Sequence, residues 1–287
     1  ILVLMSHLGI NADRAIAAEF PQLDVILGSH THHLFETGEI VNGVQLAAAG
    51  KFGFYIGEVT ITLDDQGQTI ERSARVIPTE QLLAFPQDEE EIAGYLSIGH
   101  RLLKTKQVAQ LPWALRCEGN EDSIIQEALA ALCVRGQTEA AVLNSGLFLG
   151  DLPAGRIDQD QLHTILPHPM HLIRVTLKGA DVIRFVLEME KNRRFLRNYP
   201  IVGMGFRGKI FGELVYKGIS YDAINHQVLW QNKVINPVEE YQITLVDHYL
   251  FIPFFPTIEI AGRCEFLFSE FIRTVFGSYL AHKYPIQ

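Results

Sequence analysis

Three histidines near the start of the chain have the residue type and spacing that could bind metal ions. His7 follows an apolar run at Ile1–Met5, and His30 and His32 follow a second apolar run at Val25–Leu27. Such runs are typical of buried parallel strands, whose ligands gather at the carboxyl ends of the strands. A lone histidine at a strand end is usually a packed, hydrogen-bonded residue, but three at two neighbouring strand ends favour metal ligation.

The spacing of His30 and His32 sets a condition on that chemistry. Alternate residues of an extended segment point to opposite faces, so these side chains serve two neighbouring ions only if the loop bends. The small residues Gly28 and Ser29 are predicted to supply the bend at low cost. His33 is predicted to be a bystander, because neighbours in sequence seldom share the first shell of one ion.

The elements that must position these residues are predicted to form two domains joined by a helix. Residues 1–86 form an α/β unit, residues 87–107 a linker helix with acidic residues at its start, and residues 108–287 an α+β unit. The strands and helices predicted by hydropathy pattern are as follows: strands Ile1–Met5, Val25–Leu27, Val41–Ala49, Ala140–Leu143, Leu172–Leu177, Lys209–Tyr221, His226–Gln231 and Tyr241–Val246; a hairpin of Tyr55–Leu63 and Ile70–Ile77 around Asp64–Gly67; helices Ala12–Phe20, Asp88–Thr105, Asp122–Cys133, Asp158–Leu166, Ala180–Lys191 and Glu265–Lys283.

The composition excludes several classes of function. The 287 residues are 48% hydrophobic, which suffices for a packed core and excludes general disorder. With 24 basic residues against 33 acidic ones, a net charge of −9 and no basic run, no nucleic-acid partner is predicted. No apolar run is long enough to span a bilayer, so no membrane partner is predicted either. The three cysteines favour reduced thiols and a cytoplasmic location, while secretion and the oligomeric state stay open.

The histidine segments resemble a known family. Ser6–Gly9 followed by Gly28–His32 is similar to the last two metal-binding motifs of calcineurin-like metallophosphoesterases, in the order of 5′-nucleotidases and 2′,3′-cyclic-nucleotide phosphodiesterases. The resemblance implies that His7 and His30 bind one divalent ion and His32 a second. Imidazole ligands suit Zn²⁺, Mn²⁺, Fe and Co alike, so the metal is not specified. Residues 1–86 would then be the remnant of a β-sandwich with flanking helices.

The family's other motifs are expected upstream of Ile1, because no later segment supplies them. They include an Asp-x-His, a Gly-Asp and the Gly-Asn-His that carries the catalytic histidine. The chain begins inside an apolar run and is therefore predicted to be a piece of a longer protein. Three histidines are too few for a two-metal centre, so the chain alone is predicted to be inactive and to bind at most one ion.

Residues 108–287 resemble the C-terminal domain of 5′-nucleotidases, which binds the nucleoside between two aromatic rings. Stacking suits this task because every base has a π-face. Carried over by position, the two rings fall on His168 and Tyr249, and Asn144 falls on a residue that contacts the substrate. The segments that carry the resemblance are Glu118–Asn120, Val142–Gly146, Leu152–Gly155 and Val175–Gly179.

Two departures from the family bear on nucleotide specificity. The arginine expected shortly after Asn144 is replaced by Leu147–Leu149, and the Gly-Gly-Asp-Gly loop expected after Tyr249 is replaced by Ile252–Phe255. The aromatic residues around Tyr249 are alternatively core or interdomain contacts. The sequence therefore also permits a non-catalytic module that binds another ligand or a protein.

Two further segments, Leu162–Pro169 and Gly203–Lys209, resemble the YunD-like bacterial metallophosphoesterases. Phe206 and Arg207 lie in the second of these, where an arginine on a glycine-rich loop suits a phosphate contact and a tight turn with an exposed cation is the alternative. His168 is alternatively part of a structural polar cluster with His163 and His171. The parent protein is predicted to be a bacterial hydrolase that acts on nucleotides or related phosphate esters with two divalent ions.

Overall fold

The computed structural model describes residues 1–117, 123–201 and 205–286. The chain folds into two compact units, Ile1–Ala93 and Gly94–Gln287. Helix α2, Pro86–Lys104, contributes to both units and confirms the predicted helix in this region. Parts of two segments that carry the family resemblance lie outside the described residues: Glu118–Asn120, and Gly203 and Met204 of the segment Gly203–Lys209.

A small mixed sheet forms the centre of the first unit. Strands β1 (Val3–Met5), β2 (Val25–Leu27) and β4 (Val44–Ala47) run parallel, and β3 (Glu39–Val41) is antiparallel to β4. Helix α1 (Ile10–Glu19) connects β1 to β2, as a parallel pair requires. The buried apolar residues of this unit's core are Ile10, Ala17, Leu23, Ile26, Val44 and Leu46.

The strand predicted over Val41–Ala49 contains the observed strand β4, but its predicted start is wrong, because Val41 ends β3 and the two strands form a hairpin. Strands β3 and β4 are joined by Asn42 and Gly43, which have φ angles of 48° and 84°. An Asn-Gly pair at positive φ is the typical two-residue turn between antiparallel strands. The Asn42-Gly43 pair is therefore a feature of the sequence that indicates this hairpin.

A long hairpin, β5 (Tyr55–Leu63) and β6 (Thr69–Pro78), confirms the hairpin predicted over Tyr55–Leu63 and Ile70–Ile77. It is tied to the start of β2 through Asp24. The Asp24 carboxylate accepts hydrogen bonds from Arg72 Nη2 at 2.6 Å and from Thr69 Oγ1 at 3.2 Å. Since Asp24 precedes β2 directly, this contact fixes the strand that leads to His30.

We expect Asp24→Asn to lower the free energy of unfolding of the first unit by about 1–2 kcal/mol, because the half-buried Arg72 loses its anionic partner. The matched control is Glu58→Gln, which breaks the exposed pair with Arg75 and is expected to leave the free energy of unfolding nearly unchanged, because solvent screens exposed ion pairs. Urea unfolding, with hydrogen exchange of the hairpin amides, measures both. Equal losses in the two variants would contradict the anchoring role of Asp24.

A five-stranded mixed sheet forms the centre of the second unit. Its order is β11 (Leu214–Lys217), β8 (Ala140–Asn144), β15 (Glu240–Val246), β10 (His171–Lys178) and β16 (Arg263–Phe271). Strands β8 and β15 are parallel, and the other neighbours are antiparallel. The carboxyl ends of β8 and β15 therefore meet at one edge of the sheet.

Helices and two smaller sheets complete the second unit around one large apolar core. The remaining elements are α3 (Ile124–Gly136), α4 (Gln159–Ile165), α5 (Gly179–Leu196), α6 (Pro256–Ala261), α7 (Ile272–Lys283), the pair β7 (Gln107–Leu111) and β9 (Gly155–Asp158), and the meander β12 (Ile219–Asp222), β13 (Gln227–Trp230) and β14 (Lys233–Val234). None of the helices in the described ranges combines the length and apolar character needed to cross a bilayer.

Two predicted elements of the second unit differ from the structure. The closing helix predicted over Glu265–Lys283 begins only at Ile272, and the residues before it form the edge strand β16 on β10. The strand predicted over Lys209–Tyr221 divides into β11 and β12 at Gly218, whose φ is 76°. A Cβ at Gly218 would lie 2.1 Å from the Glu139 carbonyl oxygen, so a close backbone approach imposes this break.

Candidate metal-ligand cluster and substrate cluster

The parallel pairing of β1 and β2 brings two of the predicted metal ligands together. Met5 pairs with Leu27, and the Ser6 backbone N–H donates to the Leu27 carbonyl oxygen at 2.9 Å, so the strands end level with each other. The rings of His7 and His30 follow these ends, with centroids 5.2 Å apart in an edge-to-face arrangement. Both side chains are exposed at the rim of the sheet.

The loop after β2 bends at its histidines. His30 and His32 have φ angles of 64° and 54°, in the left-handed region that residues with a Cβ seldom adopt. Gly28 and Ser29 have no positive φ, so the prediction that they supply the bend is wrong. Gly28 is needed for space instead, because a Cβ there would lie 2.5 Å from Asp13 Oδ2.

Hydrogen bonds to helix α1 hold the segments that follow β1 and β2 in place. Ser6 Oγ donates to the buried Asp13 carboxylate, and the Leu8 backbone N–H donates to Ser6 Oγ at 3.2 Å. The Ile10 backbone N–H donates to Thr31 Oγ1 at 3.2 Å. Histidine ligands normally depend on such supporting contacts for their orientation. These contacts therefore suit a ligand loop.

The histidine side chains of this cluster provide some of the ligands that a divalent ion needs. His7 and His30 are close enough to share one ion, and imidazole ligands suit Zn²⁺, Mn²⁺, Fe and Co alike. The His32 ring has Phe52 as its ring neighbour, at 6.5 Å. Across the described ranges, no group of three histidine, cysteine or carboxylate side chains is placed to hold an ion. The role of His32 therefore stays a prediction.

In the second unit, the edge where β8 and β15 end collects the predicted substrate residues. Asn144 is the last residue of β8, and Tyr249 lies in the short 3-10 turn that follows β15. Both are fully buried. Asn144 Nδ2 donates to the Phe211 carbonyl oxygen at 2.7 Å, and the Tyr249 hydroxyl makes a long bond of 3.4 Å to Asn144 Oδ1. Tyr249 also stacks on Phe255, at 5.3 Å between centroids.

His168 and Phe206 form a second stacked pair in the same cluster. Their rings lie 5.0 Å apart at 21°, and both are buried. His168 Nε2 donates to the Leu147 carbonyl oxygen at 2.7 Å, and the Arg207 backbone N–H donates to His168 Nδ1 at 2.9 Å. These partners assign the neutral tautomer with its proton on Nε2. The Arg207 side chain is exposed.

Burial shapes the electrostatics of this cluster. Desolvation lowers the pKa of His168 to about 4, and the nearby positive charges of Arg207 and Arg273 act in the same direction. Desolvation also lowers the pKa of His248 to about 3. Both imidazoles are therefore neutral at pH 7. They can each donate and accept one hydrogen bond but cannot attract an anion.

The structure thus gathers Asn144, His168, Phe206 and Tyr249 into one cluster and leaves the Arg207 guanidinium at its exposed side. A base cannot stack on His168 or Tyr249 while these rings pack as described, so their stacking role stays a prediction. Sequence reasoning missed His248, which contacts Tyr249 at 4.7 Å between ring centroids. The adjacent position in sequence was the available signal.

Comparison with known proteins gives a family for this chain. Residues 104–251 match the family model described as "5′-nucleotidase, C-terminal domain". The uncharacterized metallophosphoesterase YunD of Bacillus subtilis is 33% identical over 293 residues, covering 98% of this chain and 63% of YunD. The trifunctional nucleotide phosphoesterase protein YfkN of the same organism is 31% identical over 85 residues, covering 28% of this chain and 6% of YfkN.

A solved structure shows the same fold. The 5′-nucleotidase precursor of Thermus thermophilus matches with a TM-score of 0.53 at 17% identity, over 99% of this chain and 61% of that one. The chain therefore spans less than two thirds of the length of these relatives. Because the family model covers more than half of its residues, the chain belongs to the family that carries the 5′-nucleotidase C-terminal domain.

Proposed function

We propose that this chain is part of a metal-dependent phosphoesterase that hydrolyses nucleotides or related phosphate esters. The observation that carries the proposal is the His7–His30 ring pair at the ends of two parallel strands, in a chain that also carries the 5′-nucleotidase C-terminal domain. The names of the relatives YunD and YfkN, a metallophosphoesterase and a nucleotide phosphoesterase, support this class.

The two parts of the chain are proposed to have different roles. Residues 1–86 belong to a metallophosphoesterase domain, residues 87–107 to a linker helix and residues 108–287 to a substrate-binding domain. Strand β1 supports a larger first domain, because it is the edge strand of its sheet and exposes apolar side chains there, including Met5 at 84%. An exposed apolar edge of this kind suits pairing with further strands.

In such enzymes, two bound divalent ions activate water and stabilise the charge on the phosphoryl group. His7 and His30 would hold one ion and His32 would help to hold the other. The two segments that carry these histidines would be kept against helix α1 by the contacts of Ser6, Asp13 and Thr31. The residues that complete the centre and act on the substrate would come from outside this chain.

The test is phosphate-ester hydrolysis by the whole protein with Mn²⁺. We expect His30→Ala to lower kcat/KM by about 100-fold or more, since loss of a supporting residue alone costs about 10–100-fold at such centres. His33→Ala is the matched control, because His33 is an exposed neighbour whose ring bonds to Thr31 within the loop, and activity should stay within about twofold. Wild-type activity in His30→Ala would exclude the ligand assignment.

A second candidate function is a binding module without catalysis. It is favoured by the side chains of Asn144 and His168, which are already bonded within the protein, and by the apolar segment Leu147–Leu149 in place of an arginine. Hydrolysis distinguishes the candidates. A folded whole protein that loads divalent metal and hydrolyses neither nucleotides nor simple phosphate esters would support the module.

A further inference from the structure

A cavity lies at the edge of the five-stranded sheet where β8 and β15 begin, opposite the edge that holds the substrate cluster. Its volume is about 460 Å³, within the range typical of sites for small ligands. Among its lining residues, Glu139 directly precedes β8 and Tyr241 is the second residue of β15. Thr176 of β10 and Arg263 of β16 pair with each other at this same edge. The cavity is therefore separate from the substrate cluster.

Two aromatic rings line the cavity. Trp230 and Tyr241 are half-buried, and their ring centroids lie 4.8 Å apart at an angle of 55°. Trp230 Nε1 donates to Glu139 Oε2 at 2.9 Å. The Tyr241 hydroxyl accepts from the Asn236 backbone N–H at 3.0 Å and donates to Glu239 Oε2 at 3.3 Å. The polar atoms of both rings are thus bonded within the protein, which leaves the apolar ring surface for a ligand.

Other lining side chains have hydrogen-bonding capacity to spare. Gln242 Nε2 donates to Thr176 Oγ1 at 3.2 Å, and Gln242 Oε1 has no partner within the described ranges. One oxygen of Glu139 accepts the indole bond, and a carboxylate can accept several more. An amide both donates and accepts, as a hydroxyl does. These groups therefore suit a ligand that carries several hydroxyl groups.

The charges at the cavity favour an uncharged ligand. Arg263 and Glu240 neutralise each other through two contacts of 3.0 Å. Glu139 has no ion-pair partner in the part of the chain that the structure describes, so its carboxylate repels an anion such as phosphate. Aromatic rings also attract organic cations, but here a cation meets the Arg263 guanidinium. A neutral ligand meets neither form of repulsion.

We propose that this cavity binds an uncharged sugar ring. Such a ring combines a face of C–H groups, which packs on Trp230, with hydroxyl groups that bond to Glu139 and Gln242. The proposal goes beyond the proposed function, because it concerns the other edge of the sheet and needs neither metal nor phosphate. It gives the second unit a carbohydrate site in addition to the substrate cluster.

Trp230 reports on binding directly once it is the only tryptophan. The chain contains two, so Trp113→Phe in the full 287-residue chain leaves Trp230 alone and keeps a ring beside Tyr284. We expect D-glucose or D-ribose to change its fluorescence saturably, with a Kd on the order of 1 mM, since the ligand is small. Choline and inorganic phosphate, as cationic and anionic probes, should cause no such change. A response to choline or phosphate as strong as that to the sugars, or no saturable response to either sugar, would overturn the proposal.

Gln242→Ala in the same background tests where the sugar binds. Gln242 is exposed, so its truncation should preserve the fold, and the sugar should bind about fivefold more weakly through loss of a hydrogen bond. The matched control is Gln227→Ala, because Gln227 is an exposed glutamine of β13, the strand of Trp230, and lies outside the cavity lining. Its affinity for the sugar should be unchanged. Equal affinities in the two variants would contradict the assigned site.

Discussion

Gly146→Ala is expected to destabilise the second unit by about 3 kcal/mol or more, measured by urea unfolding at pH 7. An added Cβ would lie 1.9 Å from the Ile210 carbonyl oxygen and 2.5 Å from that of Phe211. Both obstacles are backbone atoms, which cannot rotate away as a flexible side chain can. Relief therefore requires the segment around Phe211 to move as a whole.

The same backbone segment organises the substrate cluster. The Phe211 carbonyl oxygen accepts from the Gly146 backbone N–H at 3.0 Å and from Asn144 Nδ2 at 2.7 Å. Movement of Phe211 would therefore also disturb Asn144. The matched control is Gly150→Ala, whose Cβ would meet Ile165 Cγ2 at 3.7 Å and no other atom of the described residues within 4 Å. Its expected cost is below about 1 kcal/mol. Similar losses in both variants would show that the close approach at Gly146 is not the cause.

The ligand cluster shows what local sequence can predict. His7 and His30 were expected at one rim because each follows an apolar run, and parallel strands that end level place such residues together. The small size of Gly28 and Ser29 predicts on general conformational grounds that they supply the bend of the loop. In the structure Gly28 is instead limited by the Asp13 carboxylate, a contact that depends on where helix α1 packs. Tertiary contacts of this kind are absent from local patterns.

Strand β16 illustrates a second limit. The residues from Arg263 to Phe271 precede a real helix, and without a proline or glycine between them the two elements read as one. The open edge of β10 requires a partner for its backbone groups, and β16 meets that need. This requirement depends on the order of strands in the sheet, which hydropathy does not reveal.

The substrate cluster illustrates a third limit. Positions matched to the family's motifs indicated His168, Phe206 and Tyr249, and the structure places all three in one cluster. Their mutual packing could not be foreseen, because the Phe206 ring meets a histidine 38 positions earlier in the chain. The position of His248 next to Tyr249 does not reveal its role, because a local pattern does not show which side chains are buried. In the structure, His248 is distinguished by burial without a side-chain hydrogen-bond partner among the described residues.

The free energy of unfolding of the second unit is expected to fall by about 5 kcal/mol between pH 7 and pH 4.5 through His168 and His248 alone. Burial lowers the pKa of these side chains to about 4 and about 3 in the folded chain. In the unfolded chain both return to about 6.5. Below pH 6.5 the two side chains therefore bind protons in the unfolded state that they do not bind in the folded state. The contribution of the two histidines to the free energy of unfolding is fully present above that pH. It is lost as the pH falls toward their pKa values in the folded chain.

Other titratable groups also change the pH dependence of the free energy of unfolding, without reversing the loss at low pH that is assigned to His168 and His248. Burial raises the pKa of Asp247, so this carboxyl group acts in the opposite sense at low pH. His248→Phe isolates one histidine, because phenylalanine suits the aromatic surroundings and does not titrate. We expect this variant to lose about half of the decrease, or about 2.5 kcal/mol, in urea unfolding at pH 7, 5.5 and 4.5. His282→Gln, at an exposed position on α7, is the control and should retain the wild-type slope. Equal slopes in wild type and His248→Phe would show that His248 is accessible to protons in the folded chain, and would contradict its burial as a neutral ring.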